Sequence, residues 1–273
     1  MHGNHWSLIL FTLLAQASAG TMVLGTFFRS VSRISGRPAL PQSAFRRGLF
    51  IAAAAMIAAA LISFFHLGTP LHAIFVLNNL ASSWLSREIL AVIMFTGSVC
   101  LVALLHILGT KREGLLHFLE SSSAILGLIL VFSMSRIYML PTVPIWNHLF
   151  TPLTFFGTMF LIGAATWMLI MGYYREFAAS PVNVIGNLCV GFGAFQLTIL
   201  VLHTLYISGL TTGLNESWII GLRFFLLLVG TLMAAKVGRD SDRRLLILMF
   251  VVFTAAELLG RFQFYAGYSR IGI

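Results

Sequence analysis

The sequence predicts an all-α, polytopic membrane protein of eight transmembrane helices, and three observations carry that prediction. First, 59% of the 273 residues are hydrophobic and only 9% are charged, against about 25% charged in a soluble domain. Second, the apolar residues form eight windows, each about the 20 residues that a membrane-crossing helix needs. These runs are continuous and lack the ten-residue alternation of a barrel strand. Third, the basic residues gather between windows, in every second connection. The longest connections are near twenty residues, so the protein reads as a single transmembrane domain over 1–273 without a soluble catalytic domain.

The first window, 7–28, contains Ala15-x-Ala17 and Ala17-x-Ala19, which mimic a signal-peptidase site. It is read as a retained span, because Met1–Trp6 carries no Lys or Arg and the apolar run continues to a basic cluster at Arg29, Arg33 and Arg37. The second window, 45–66, opens on Arg46 and Arg47 and ends at His66, with Gly68 as a natural C-cap. Residues 67–87 hold no charge before Arg87, and Thr69-Pro70 predicts the start of a short interfacial helix. The third window, 88–109, opens on Glu88 with Ser86 as a candidate N-cap, and the fourth, 115–139, closes on Arg136 and Tyr138. The uncharged 139–151 connection, stiffened by Pro141 and Pro144, is expected to lie on lipid headgroups or against a partner protein. The remaining windows are 152–173, 184–208 with His203, 218–236 with Arg223, and 245–266 with Glu257, Arg261 and Tyr265.

Counting bases by connection orients the protein. Arg29, Arg33, Arg37, Arg46, Arg47, Lys111, Arg112, Arg175, Lys236, Arg239, Arg243 and Arg244 all fall in the odd connections, 12 of the 17 Lys and Arg. The positive-inside rule therefore places both termini outside. The same distribution explains the net charge of +9 without nucleic acid as a partner. Cys100 and Cys189 fall inside spans at different depths, so neither a disulfide nor a metal site is indicated. With no CxxC, the protein cannot ligate an iron–sulfur cluster by itself.

With that topology, His66, Glu88, Arg136, His203, Arg223, Glu257 and Arg261 all map to the outer leaflet. A charge in hydrocarbon costs roughly 2.5 to 3.5 kcal/mol on insertion scales, so acids, bases and cations at one depth point to a site that handles protons or a polar headgroup. Each has a plain structural alternative. His66 and Glu88 suit the C- and N-terminal dipoles of their helices, and Glu257 with Arg261, four apart, can be a buried pair. Yet His66 ends one span and Glu88 begins the next, which brings imidazole and carboxylate together as a proton-accepting pair. His106, His117 and Glu120 at the inner ends are expected to be a solvated boundary. His66 with His203 is the one outer pair at a depth suited to haem b. The order His66, Glu88, Arg136 is echoed four spans later by His203, Arg223, Arg261, the pattern of two four-helix bundles.

These residues carry a family resemblance. The block His66-Leu-Gly-Thr-Pro-Leu-His-Ala-Ile-Phe-Val-Leu-Asn78-Asn79, running to Leu85-Ser-Arg-Glu88, resembles the membrane anchor subunit of anaerobic dimethyl sulfoxide reductase. So do Arg136-x-Tyr138, Thr142-Val-Pro144-x-Trp146, Thr151-Pro152-Leu153 and Glu257-Leu-Leu-Gly260-Arg261-x-x-Phe264-Tyr265, while 29–47 and 209–217 depart most. The resemblance implies a multi-pass anchor of the bacterial inner membrane. It would bind menaquinol, yield menaquinone, and hold neither haem nor iron–sulfur cluster. Its implied partners, on the outer face, are a four-cluster iron–sulfur subunit and a molybdenum bis-guanine-dinucleotide catalytic subunit that reduces an S-oxide or N-oxide. His66 and Glu88 match the family's quinol-associated histidine and glutamate. Arg136, Tyr138, Arg223, Glu257, Arg261 and Tyr265 are the further quinol-binding candidates. The rival readings are a haem b quinol dehydrogenase subunit and a small transporter, whose site would sit near a midplane that is nearly bare here.

Overall fold

A computed structural model describes residues 6–35, 40–64, 77–173, 181–208, 217–237 and 242–266. Among these the fold is helical throughout: α1 Trp6–Ser35, α2 Gln42–Ser63, α3 Trp84–Ile107, α4 Glu113–Tyr138, α5 Phe150–Tyr173, α6 Pro181–Ser208, α7 Ser217–Val237 and α8 Arg243–Ala266. All eight are long and apolar enough to cross a membrane. A 3-10 turn at Leu77–Asn79 precedes α3. Thr69 and Pro70, where a further short helix was expected, lie outside the described residues.

Two helices form the centre. The most apolar stretches of α1 and α5 are each 72% buried, against 33–39% for the other six. Helix α1 packs on α2, α4, α5 and α8, and α5 packs on α1, α2, α4, α6 and α8. Lipid tails are as apolar as leucine, so helices associate in a bilayer through close packing of small residues. Gly20 and Gly163 provide it: a Cβ at Gly20 would stand 1.9 Å from the Met159 carbonyl oxygen, and one at Gly163 would stand 2.5 Å from Gly20. Ala19 meets Gly127 of α4 beside Phe95 of α3, and Ser18 donates to the Ala52 carbonyl of α2 at 2.7 Å.

Three expectations need correcting. Helix α3 opens at Trp84, capped by Ser83, whose hydroxyl accepts from the Ser86 amide at 3.3 Å. Ser86 is therefore inside the helix and Glu88 lies a turn further in than the sequence suggested. Second, α1 runs two turns past residue 28, so Arg29 is a helical residue and not part of a loop. It reaches Glu120 of α4 at 3.4 Å, and Glu120 in turn meets His106 Nε2 of α3 at 2.9 Å. Glu120 is 0% exposed and His106 5%, so this end holds a buried carboxylate–imidazole contact with Arg29 at its edge, and not a solvated boundary. Third, the 139–151 connection buries its own apolar groups. Val143 and Trp146 are buried, and Trp146 stacks on Phe264 at 5.1 Å while its Nε1–H donates to the Phe264 carbonyl at 2.9 Å. Leu140 and Leu149 remain exposed.

Candidate functional site

At the end of the bundle opposite Arg29, α8 presents Glu257, Arg261 and Tyr265 at four-residue spacing, hence on one face. All three are buried. Glu257 Oε1 accepts from Gln196 Nε2 of α6 at 2.9 Å, and its Oε2 accepts from the Thr158 hydroxyl of α5 at 2.6 Å. Arg223 Nη2 of α7 makes an ion pair with Oε2 at 3.6 Å. Arg261 Nη2 donates to Gln16 Oε1 of α1 at 3.0 Å and to the Thr158 oxygen at 3.2 Å, and its guanidinium lies 3.7 Å over the Phe155 ring. Thr158 is the hub, accepting from Arg261 and Gln196 while donating to the carboxylate.

Glycine makes room for this cluster. A Cβ at Gly260 would fall 2.5 Å from Arg223 Cζ, and one at Gly157 would fall 2.8 Å from the Gln196 amide. The cluster is nonetheless unbalanced. It joins one carboxylate to two guanidiniums, and Gln16 Nε2, Arg223 Nε, Arg261 Nη1 and Gln196 Oε1 are buried without a hydrogen-bond partner among the described residues.

One turn along α8, the Tyr265 and Tyr138 hydroxyls meet at 3.0 Å within an aromatic nest of Trp146, Phe155 and Phe264. Glu88 lies within electrostatic reach of both phenols. It is only 9% exposed, and no described side chain hydrogen-bonds or ion-pairs with it. Its position in the second turn of α3 weakens the helix-dipole account, since that effect fades beyond the first turn. Arg136 faces elsewhere: its guanidinium sits 5.2 Å from the Trp84 ring and its Nη1 is 3.2 Å from Met139 Sδ. Arg87 takes the same tryptophan at 4.3 Å and donates to the Leu80 and Ala81 carbonyls.

The structure thus brings Arg223, Glu257 and Arg261 together, sets Tyr265 one turn along α8 against Tyr138, and leaves Glu88 within electrostatic reach of those two phenols, with Arg136 apart. His66 lies outside the described residues. Gln16, Thr158 and Gln196 are additions that the sequence reading missed. Their signal was available, because an amide buried mid-span needs partners.

His203, the other half of the outer histidine pair, instead meets His148 with the two Nε2 atoms 3.2 Å apart. The Phe150 amide donates to His148 Nδ1 at 3.1 Å, which fixes the hydrogen on Nε2, where it faces the Ile145 carbonyl and His203. That tautomer leaves His148 Nε2 without a lone pair for a metal. Burial also holds the His148 imidazole below its usual value, against a smaller opposing effect of the Ile145 carbonyl. No cluster of three or more His, Cys, Asp or Glu capable of holding a metal occurs among the described residues.

Eight spans around a buried ionic cluster define a polytopic helical membrane protein whose polar chemistry collects at one end of the bundle, with Arg29, Glu120 and His106 gathered at the other. Comparison with known proteins sharpens the class. A family model described as the DMSO reductase anchor subunit (DmsC) matches residues 1–267, and the protein belongs to that family. It is 26% identical over 286 residues to the anaerobic dimethyl sulfoxide reductase subunit YnfH of Escherichia coli strain K12, covering 99% of this sequence and 97% of that one. Identity to the C subunit of the same organism's anaerobic dimethyl sulfoxide reductase is also 26%, over 284 residues, with the same coverage. The corresponding C subunit from Haemophilus influenzae is 28% identical over 156 residues, 57% of this sequence and 54% of the relative. As an anchor subunit, the protein serves a multi-subunit reductase at a membrane.

Proposed function

We propose that this protein is the quinol-oxidising anchor of a molybdenum-dependent S-oxide or N-oxide reductase in the bacterial inner membrane. Both termini and the Glu88 end of the bundle face outward in this reading, and α1–α4 and α5–α8 are its two four-helix halves within one domain. Menaquinol docks at that end and is oxidised to menaquinone. Glu88 and His66 accept its two protons, and its two electrons pass to an iron–sulfur subunit on the same face and then to the molybdenum subunit. Tyr138 and Tyr265 hold a ring oxygen, and Arg136, although its guanidinium faces Trp84 and Met139, adds positive charge at the same end of the bundle. Arg223, Glu257 and Arg261 form the wall behind them.

The observation that carries the reading is Glu88 itself: a nearly buried carboxylate, past the first turn of its helix, beside two phenols and unpaired among the described residues. Such a group has acceptor capacity to give. The transporter alternative loses ground because each described span is one uninterrupted helix, without the broken helices of a midplane site.

The test is Glu88→Gln in the assembled complex, which keeps shape and hydrogen-bonding reach but removes the proton-accepting charge. Quinol-linked turnover is expected to fall about 10²- to 10⁴-fold, the usual size of general-base loss. A dye that donates directly to the soluble subunits still supports reduction. Unaltered quinol-linked turnover refutes the role of Glu88.

A further inference from the structure

We propose that His148 and His203 form a proton-sensitive latch, which holds the 139–151 connection shut with Trp146 against Tyr138 of the Tyr138–Tyr265 pair, and which opens on acidification. The inference does not depend on which molecule the phenols hold.

The connection carries latch and cover on one turn. The Trp146 and Asn147 amides donate to the Val143 carbonyl at 2.9 and 3.0 Å, and the His148 amide donates to the Trp146 carbonyl at 3.0 Å. The Thr151 hydroxyl donates to that same carbonyl at 2.7 Å. On one side of the turn, the Trp146 ring stacks on Phe264 at 5.1 Å and meets the Tyr138 ring edge-on at 5.4 Å. On the other, His148 meets His203 of α6, with the Nε2 atoms 3.2 Å apart. The stacking and the indole bond to the Phe264 carbonyl involve no ionisable group. The imidazole pair is the described tie that can change its charge near neutral pH.

That pair has room for one hydrogen between its rings. The Phe150 amide takes the His148 Nδ1 lone pair, so His148 carries its hydrogen on Nε2 and His203 Nε2 faces it as the acceptor. A further proton on His148 Nδ1 would meet the Phe150 N–H. On His203 Nε2 it would meet the His148 N–H, leaving the Ile145 carbonyl to serve both. Either cation would also be partly stripped of water, because both residues are half-buried.

The surroundings do not repay that cost. Phe150 of α5 approaches both rings, and Tyr206 of α6 adds a neutral phenol 4.9 Å from His148. From α7, His203 faces Arg223, a like charge already paired with Glu257. No carboxylate among the described residues hydrogen-bonds or ion-pairs with either imidazole, while His66 and Glu216 lie outside those residues. Separating the rings lets water solvate them, so the open latch takes up protons that the closed one refuses. Closure is therefore full above the ordinary histidine value of about 6.5 and is lost as pH falls through it.

Hydrogen–deuterium exchange of the full-length protein in lipid nanodiscs tests the latch, with rates corrected for the intrinsic pH dependence of amide exchange. Exchange within 143–151 should quicken about tenfold for each pH unit below about 6.5, as one linked proton requires. Amides in the middle of α1 and α5 should not follow. His148→Asn combined with His203→Gln, both neutral at every pH in the range, should make exchange in the connection independent of pH. Acrylamide quenching of Trp146, taken as the difference from Trp146→Phe, should rise on acidification in the parent and stay level in the double variant. A flat profile in the parent overturns the proposal without any variant. So does a slope that persists in the double variant, or one that α1 and α5 share.

Discussion

Among the described residues, Glu257→Leu removes the only carboxylate that touches the Arg223–Arg261 cluster and leaves two buried guanidiniums with neutral partners alone. The lost hydrogen bonds alone, from Thr158 at 2.6 Å and Gln196 at 2.9 Å, would matter modestly, since interhelical hydrogen bonds in membrane proteins average about 0.6 kcal/mol. Stranding a buried charge is larger, about 3–5 kcal/mol, and decides the outcome. We expect a loss of about 3–5 kcal/mol in unfolding by denaturing detergent, followed through the tryptophans. Adding Arg223→Met should recover part of that loss, because Arg223 then no longer needs the carboxylate 3.6 Å away. A Glu257→Leu protein within about 1 kcal/mol of the parent would refute the claim that the cluster depends on its ion pair. So would a double variant whose losses simply add.

Other outcomes follow from the same contacts. Gly260→Ala should destabilise by about 1–3 kcal/mol in the same assay, because its Cβ would fall 2.5 Å from Arg223 Cζ; replacing Arg223 with methionine in that background should return much of it. Burial lowers the His148 value in the fold, so the unfolded state binds more protons just below the ordinary histidine value of about 6.5. Stability should therefore be full above that pH and decline as pH falls through it, and thermal melting of His148→Asn should show a flatter slope between about pH 7 and 5. Reporter fusions at Ile273 and in the 29–47 segment should give opposite sidedness, outside for the terminus. The purified protein should show no haem Soret band.

What was legible in the sequence followed from the physics that operates residue by residue. Uninterrupted apolar windows give helices because hydrocarbon offers the backbone no other partner. The family could be read in blocks such as Glu257-Leu-Leu-Gly260-Arg261. Glu257 and Arg261 could be put on one face from their spacing alone. Their actual partners could not, because Gln16, Thr158 and Gln196 come from three other helices, and pairing across helices leaves no periodicity. The contacts joining Arg29, Glu120 and His106 were missed for a related reason. Arg29 reads as a loop residue until α1 is seen to continue to Ser35, and only that extension carries its guanidinium to Glu120. The 139–151 connection misled through composition: its apolar residues suit a docking surface, yet Trp146 finds its partner in Phe264, more than a hundred positions later.

The contact between Gly20 and Gly163 has an electrical consequence. On α1 the cluster around Glu257 begins at Gln16 and the one around Glu120 at Thr26, about 15 Å apart along the helix axis. Across that interval α1 and α5 touch backbone to backbone, flanked by Ala19, Ala52 and Trp167. Ser18, Thr21 and Thr166, hydroxyls of that interval, spend their hydrogens on the Ala52, Ala17 and Ile162 carbonyls. Protons need a file of groups that both give and receive, and backbone packed at this distance interrupts the file. Along the α1–α5 contact the middle of the bundle therefore lies between the two polar ends as a dielectric lies between the plates of a capacitor.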